Sequence, residues 1–199
     1  GVSAGGNIVL TAGDTPGSGD SLTLSGLVSS TGSGSIALSS GDNLLQNANV
    51  TTNGGAVTAV SQGGNIGMAL GTTTSPGGGG IGYAASGNIA LTSLNAGSGA
   101  IDLNAGGNIG SVPGFTGANL IGGTALIAAG GNANLSTQVG LLDVKVKGTY
   151  SITDLLTGSV TANVPTTAAP VLNQVTSTVV AATQSVTATD TVTGSITGT

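Results

Sequence analysis

The sequence predicts an all-β fold, a parallel β-solenoid, and three observations carry that reading. The triplet Gly-Asn-Ile recurs at Gly6-Asn7-Ile8, Gly64-Asn65-Ile66, Gly87-Asn88-Ile89 and Gly107-Asn108-Ile109. A ladder of apolar anchors runs through these triplets and beyond them. Around each anchor, apolar residues alternate with small polar ones. Repetition at a period of about 20 residues means that a unit cannot bury its own apolar face and must stack on a neighbour, so function is expected to lie in shape.

The anchors Ile36, Leu44, Val57, Ile66, Ile81, Ile89, Ile101, Ile109 and Ile121 follow one another by alternating short and long steps. Every second anchor therefore marks one coil, and the intervals Ile36 to Val57, Val57 to Ile81, Ile81 to Ile101 and Ile101 to Ile121 are close to equal, the second being the longest. That long interval contains Ser75-Pro76-Gly77-Gly78-Gly79-Gly80, expected to be a loop pushed out of a coil. Ile8-Val9-Leu10-Thr11, Ser35-Ile36-Ala37-Leu38-Ser39, Asn88-Ile89-Ala90-Leu91-Thr92 and Ala100-Ile101-Asp102-Leu103-Asn104 alternate with period two, which predicts short strands. The Ser-Gly, Gly-Gly, Asn-Gly and Gly-Asn pairs between them supply the positive backbone angles that corners demand. A meander of hairpins would use the same turn residues; the repeated coil length favours the solenoid. At a strand spacing of roughly 4.8 Å, residues 1–145 allow about seven coils and a rod about 35 Å long.

Beyond residue 145 the pattern changes, which divides the chain into a β-helix repeat region, 1–145, and a Thr/Val-rich strand segment, 146–199. Lys145 to Ile152 alternates, Pro165 to Pro170 interrupts, and Val171 to Thr199 is a Thr, Val, Ser and Ala tract nearly without Gly. Val175 to Val180 and Ser185 to Thr193 are β-branched and weakly charged, suited to extra coils of the same rod or to a strand donated to a neighbouring subunit.

Composition sets further bounds. The chain has 38 Gly in 199 residues, two Lys plus Arg, seven acidic residues, all Asp, and no His or Cys. Its apolar fraction of 38% at regular positions separates it from disordered chains. No disulfide can staple it, and no leader is visible after Gly1, so a mature product or an excised fragment is expected. Apolar stretches are broken by Gly, Asn, Thr and Pro, which argues against a membrane helix. Tyr83, Phe115 and Tyr150 are too few to girdle a membrane barrel.

Segments such as GGNIVLTAG, GSGSIALSSGDNLLQNANVTTNGGAVTAVSQGGNIG and SGNIALTSLNAGSGAIDLNAGGNIG resemble the shaft repeats of filamentous-haemagglutinin-like exoproteins, bacterial surface adhesins exported by two-partner secretion or as autotransporters. The resemblance covers roughly residues 1–145. It implies a right-handed parallel β-helix and an extracellular or cell-surface location, and it implies no activity for this stretch. That family's N-terminal secretion domain is not recognisable here.

An inventory of side chains argues against an enzyme. Without His, Cys, Glu or Arg, the usual general bases, thiol nucleophiles and guanidinium clamps are missing. Asp14, Asp20, Asp42, Asp102, Asp143, Asp154 and Asp190 are scattered, expected in turns or on solvated faces rather than as the carboxylate pair of a glycosidase. Catalytic, cofactor and metal sites are all expected to be none. Gly17-Ser18-Gly19-Asp20-Ser21-Leu22 echoes a calcium-binding nonapeptide but does not recur in tandem. Gly77 to Gly80 lacks the Lys-Ser/Thr of a phosphate cradle. A formal charge of −5 with so few cations argues against nucleic acid and acidic membrane surfaces.

A non-catalytic extracellular structural protein is therefore expected, a shaft or a self-assembling fibre subunit. Lys145 and Lys147 are the only trypsin targets. Little charge opposes lateral packing, and no polar cap precedes Ile8, so head-to-tail or lateral self-association is the expected partnership. An adhesin or glycan-binding β-helix is the alternative, weakened by scarce aromatic platforms. Thr187-Ala188-Thr189, Thr191-Val192-Thr193 and Thr197-Gly198-Thr199 carry a weaker ice-binding reading, since such rows are also what an exposed strand face uses.

Overall fold

A computed structural model describes residues 1–13, 19–154, 160–164, 173–177, 186–190 and 194–198, with Asp154 and the residues beyond it described by backbone pairing alone. Every regular element among them is a β-strand, and every strand pairing is parallel, so the chain is a β-solenoid. The Pro165–Pro170 interruption, Gly17 and Ser18 of the calcium-like segment and Asp14 lie outside the described residues. So do the side chains of Asp154, Asp190 and the C-terminal threonines.

Each turn visits three strand stacks. Stack I aligns Val2, Val28, Val50, Thr74, Leu94, Leu120 and Thr137, six turns from first to last. Stack II aligns Ile8, Ile36, Val57, Ile81, Ile101, Ala125 and Leu142. Stack III aligns Leu22, Leu44, Ile66, Ile89, Ile109, Ala133 and Tyr150. These residues point inward with the next-but-one residue of each strand, so Leu38, Ala59, Tyr83, Leu103 and Ile127 form a second rung in stack II. An aliphatic side chain fully buried in this way contributes about 1.5–3 kcal/mol. Backbone bonds between turns satisfy the polar groups that the dry interior cannot.

The expected anchors from Ile36 to Ile109 fall alternately on stacks II and III, as their steps imply. Three expectations change. Ile121 belongs to stack I, opposite Asn95; the partner of Ile101 is Ala125, so that coil is as long as the one from Val57 to Ile81. Gly6-Asn7-Ile8 enters stack II, whereas the three later Gly-Asn-Ile triplets enter stack III. The same triplet turns the chain at two different corners.

The third correction concerns Ser75 to Gly80. This segment is not pushed out: the path from Thr74 to Ile81 is no longer than that from Val50 to Val57 one turn below. The Gly54 N–H donates to the Pro76 carbonyl at 2.8 Å, which ties the two corners together. The extra length of this turn lies elsewhere. One residue is added between Val57 and Ile66 relative to Ile36 and Leu44, and two between Ile66 and Thr74 relative to Leu44 and Val50. The latter two swell the corner Ala69-Leu70-Gly71-Thr72, whose Leu70 is left 59% exposed.

Above residue 120 the corners tighten. Leu120–Ala129 runs through stacks I and II without a break, and Ala133–Val146 runs through all three. The boundary expected at residue 145 falls inside the second of these strands, one residue before its end. Parallel pairing then continues in stack II through Val160–Val164 and Val186–Asp190, and in stack III through Asn173–Ser177 and Gly194–Gly198.

Candidate functional site

The corner entering stack III explains the recurring triplet. Asn43, Asn65, Asn88, Asn108 and Asn132 stand one above another, and each side-chain Oδ1 accepts the backbone N–H of the residue one turn up. The bonds run from Asn65 to Asn43 at 2.9 Å, Asn88 to Asn65 at 2.7 Å, Asn108 to Asn88 at 2.7 Å, Asn132 to Asn108 at 2.7 Å, and Thr149 to Asn132 at 2.9 Å. The preceding residue must be glycine because the carboxamide below occupies the space of a side chain. A Cβ at Gly87 would lie 2.5 Å from Asn65 Oδ1, and one at Gly107 2.5 Å from Asn88 Oδ1. Asp42, which precedes the lowest asparagine of the column, escapes this rule, since the turn beneath it carries Ser21 there instead of an asparagine. Thus Gly makes room, Asn bonds and Ile fills the core.

The corner entering stack II is a column of glycines: Gly6, Gly34, Gly55, Gly79 and Gly99. A Cβ at Gly79 would lie 2.5 Å from the Gly55 carbonyl oxygen, one at Gly99 2.5 Å from that of Gly79, and one at Gly55 closer still to that of Gly34. Real Cβ atoms do not approach oxygen so closely, so any other residue would force the turns apart.

Inside the rod the three stacks meet at one polar cluster. Gln46 of stack III, Thr74 of stack I and Tyr83 of stack II are all sealed from solvent. The Tyr83 hydroxyl donates to Gln46 Oε1 at 2.7 Å and lies 2.6 Å from Thr74 Oγ1, while Gln46 Nε2 donates to Thr74 Oγ1 at 3.0 Å. Ala59 beneath the ring leaves the volume it needs. Burial pushes the Tyr83 phenol well above its ordinary value, and the hydrogen bond with Thr74 opposes that only in part. A second buried polar group, Asn119, closes the corner after Val112–Ala118. Its Nδ2 donates to the Leu91 and Thr92 carbonyls at 3.1 and 2.9 Å, and its Oδ1 accepts the Ser136 N–H at 2.9 Å.

The aspartates occupy the surface. Asp102 points outward from stack II, and Asp143, two turns above it in the same column, lies 3.4 Å from Lys145. Asp42 Oδ2 accepts the Gly19 N–H at 2.6 Å, and the Asp42 N–H donates to the Asp20 carbonyl at 3.1 Å. Folding thus brings Asp20 and Asp42, a full coil apart in sequence, to one corner, which linear spacing could not reveal. Both serve turns there. Among the described residues, no group of three or more potential metal ligands converges.

Comparison with protein-family models, curated proteins and solved structures gives no match to this chain. The columns themselves are therefore the guide. Stacks I and III show solvent faces without charge among the described residues: Ser3, Ser29, Thr51, Ser75 and Asn95 on one, and Thr23, Leu45, Gly67, Ala90 and Gly110 on the other. The lower end of the first turn differs from these faces. There a recess of about 320 Å³ is lined by Val2, Leu10, Leu22, Leu24 and Val28, among others. Val2 is 40% exposed, against the sealed Val28 above it.

Proposed function

We propose that this chain is a non-catalytic extracellular structural protein, a β-solenoid shaft or self-assembling fibre subunit on a bacterial surface. One observation supports this reading above the others. Backbone bonds, asparagine bonds and aliphatic side chains are each repeated from turn to turn along one axis, so neighbouring turns hold each other by similar contacts along the repeat region. Stability in such an array is a sum of nearest-neighbour terms, which suits a spacer whose length is its property. Outer faces of Ser, Thr, Asn, Ala and Gly are hydrated and nearly uncharged, compatible with close neighbours. Lys145 and Lys147 both lie in or beside the paired strand Ala133–Val146, where a protease must first unpair the backbone.

Electron microscopy at neutral pH, before and after a chelator, tests this. Rods or filaments that survive chelation are expected. Compact particles, or rods that fall apart without divalent cations, would sink the reading. Limited trypsin digestion adds a second readout, with the repeat region expected to remain as one uncut fragment.

A further inference from the structure

Asn53 is the one asparagine of the sequence that glycine follows. The asparagines of the ladder precede leucine, isoleucine or alanine, whose Cβ crowds the backbone nitrogen that an asparagine side chain could otherwise meet. At Asn53 that crowding is absent. A backbone nitrogen that loses its proton to base is a nucleophile, and the carboxamide carbon one residue earlier is within its reach.

The fold withholds that nucleophile. Asn53 and Gly54 are exposed at the corner between Val50–Thr52 and Val57–Ser61, so water and base have access to them. Yet the Gly54 N–H donates to the Pro76 carbonyl of the turn above at 2.8 Å. The buried Thr52 hydroxyl reaches the same carbonyl at 3.1 Å and the Gly55 carbonyl as well, which fastens the corner on both sides of the pair. Gly77 of the turn above lies over it, since a Cβ there would stand 3.2 Å from the Gly54 nitrogen and 3.6 Å from Asn53 Cα. An N–H held in this way is surrendered to base only when the corner opens.

We propose that Asn53 is a deamidation site gated by the stacking of the turn above it. Once the corner opens, the Gly54 nitrogen loses its proton and bonds to Asn53 Cγ. The bond from Cγ to Nδ2 breaks, and the amide leaves with a proton as ammonia. Water then opens the cyclic imide at either carbonyl, giving aspartate or its iso form. Both products carry a new negative charge at the corner. The iso form also adds a carbon to the backbone, which takes the Gly54 N–H out of register with Pro76. A transient separation of turns thus leaves a permanent mark.

The full chain, folded or in guanidinium chloride at mildly alkaline pH, provides the test, with deamidation read by mass. Hydroxylamine, which cleaves the imide, locates the site as a cut between residues 53 and 54. The unfolded chain is expected to react there, the folded chain at least tenfold more slowly, and Asn53→Ser to lose the cut. Thr52→Val, which removes the fastening hydroxyl, is expected to raise the folded rate several-fold with circular dichroism unchanged. If that variant fails to fold, wild type in rising sub-denaturing guanidinium carries the test: hydrogen exchange at the Gly54 amide and deamidation are expected to rise together. Equal rates in folded and unfolded chains, a folded Thr52→Val that reacts no faster, or Gly54 exchange that rises without deamidation overturns the gate. An unfolded chain that keeps its Asn53 amide overturns the site itself.

Discussion

At the corner entering stack III each turn from Asn43 upward contributes an asparagine that reaches up to the next backbone N–H, whereas at the corner entering stack II Asn7 does so in the first turn, to Ser35 at 2.9 Å, and the turns from Gly55 to Gly99 contribute a glycine with nothing to reach with. Asn65, Asn88 and Asn108 hold their corner by directed bonds of 2.7–2.9 Å. Gly55, Gly79 and Gly99 hold theirs by letting carbonyls of successive turns sit where a Cβ would be. The difference lies in what each can lose. A lost acceptor at an exposed corner hands its N–H to water, which costs little. An added methyl at the glycine corner has no free direction, because the obstacle is backbone shared with the turn below.

Gly55→Ala is therefore expected to cost the most, about 3 kcal/mol, seen as a lower denaturation midpoint. Asn88→Ala is expected to cost only about 1 kcal/mol, through the N–H of Asn108 that loses its partner. An equal cost at the two sites would break the contrast between them. Gly107→Ala lies between, since its new Cβ faces Asn88 Oδ1 at 2.5 Å and the Gly87 carbonyl only at 3.1 Å. The double variant Gly107→Ala with Asn88→Ala should be less damaging than the sum of the two, with a coupling of about 1 kcal/mol in a double-mutant cycle. Strict additivity would mean that glycine precedes asparagine for another reason.

The core cluster gives a pH-dependent counterpart. Tyr83 keeps its proton in the folded state because burial disfavours the phenolate, so its folded pKa lies above its unfolded one. The native state then binds the proton more tightly. The associated stability is fully present below the unfolded value near 10 and is lost as pH rises through the window above it. Wild type should lose about 1.4 kcal/mol per pH unit there from this one group, and Tyr83→Phe should lack that component. Below pH 9 the same variant should cost about 1 kcal/mol, for the bonds with Gln46 and Thr74. Chemical denaturation at stepped pH checks both.

Stacks II and III were legible in the sequence because Ile36, Leu44, Val57, Ile66, Ile81, Ile89, Ile101 and Ile109 are large, aliphatic and evenly stepped. Stack I was not, because its inward residues include Ser30, Thr52 and Thr74, whose hydroxyls bond to nearby carbonyls or to Gln46 and so tolerate burial. A polar inward residue erases the alternation that marks a strand. Ile121 misled for the converse reason, being an aliphatic residue on the outer side of stack I. The run Pro76 to Gly80 looked like an insertion because glycine is usual in loops, while here it stacks between two other glycine corners. Gln46 and Asn119 left no mark in the sequence, since their partners come from other turns.

Glycines off the columns complete the comparison and carry the smallest expected effect, of opposite sign. Gly67 lies in the outward position of Ile66–Met68, its φ is not positive, and a Cβ there would meet only Leu45 Cδ2 at 3.6 Å, an ordinary contact. Nothing native requires glycine at that position. Gly67→Ala should therefore stabilise the chain by about 0.4–1 kcal/mol, because the unfolded state loses backbone freedom that the folded state never used. The new methyl also covers part of Leu45, which is 42% exposed. A thermal melt resolves a change of this size. If Gly67→Ala destabilised the chain as Gly55→Ala is expected to, glycine would be serving strand geometry throughout, and the steric account of the columns would fail with it.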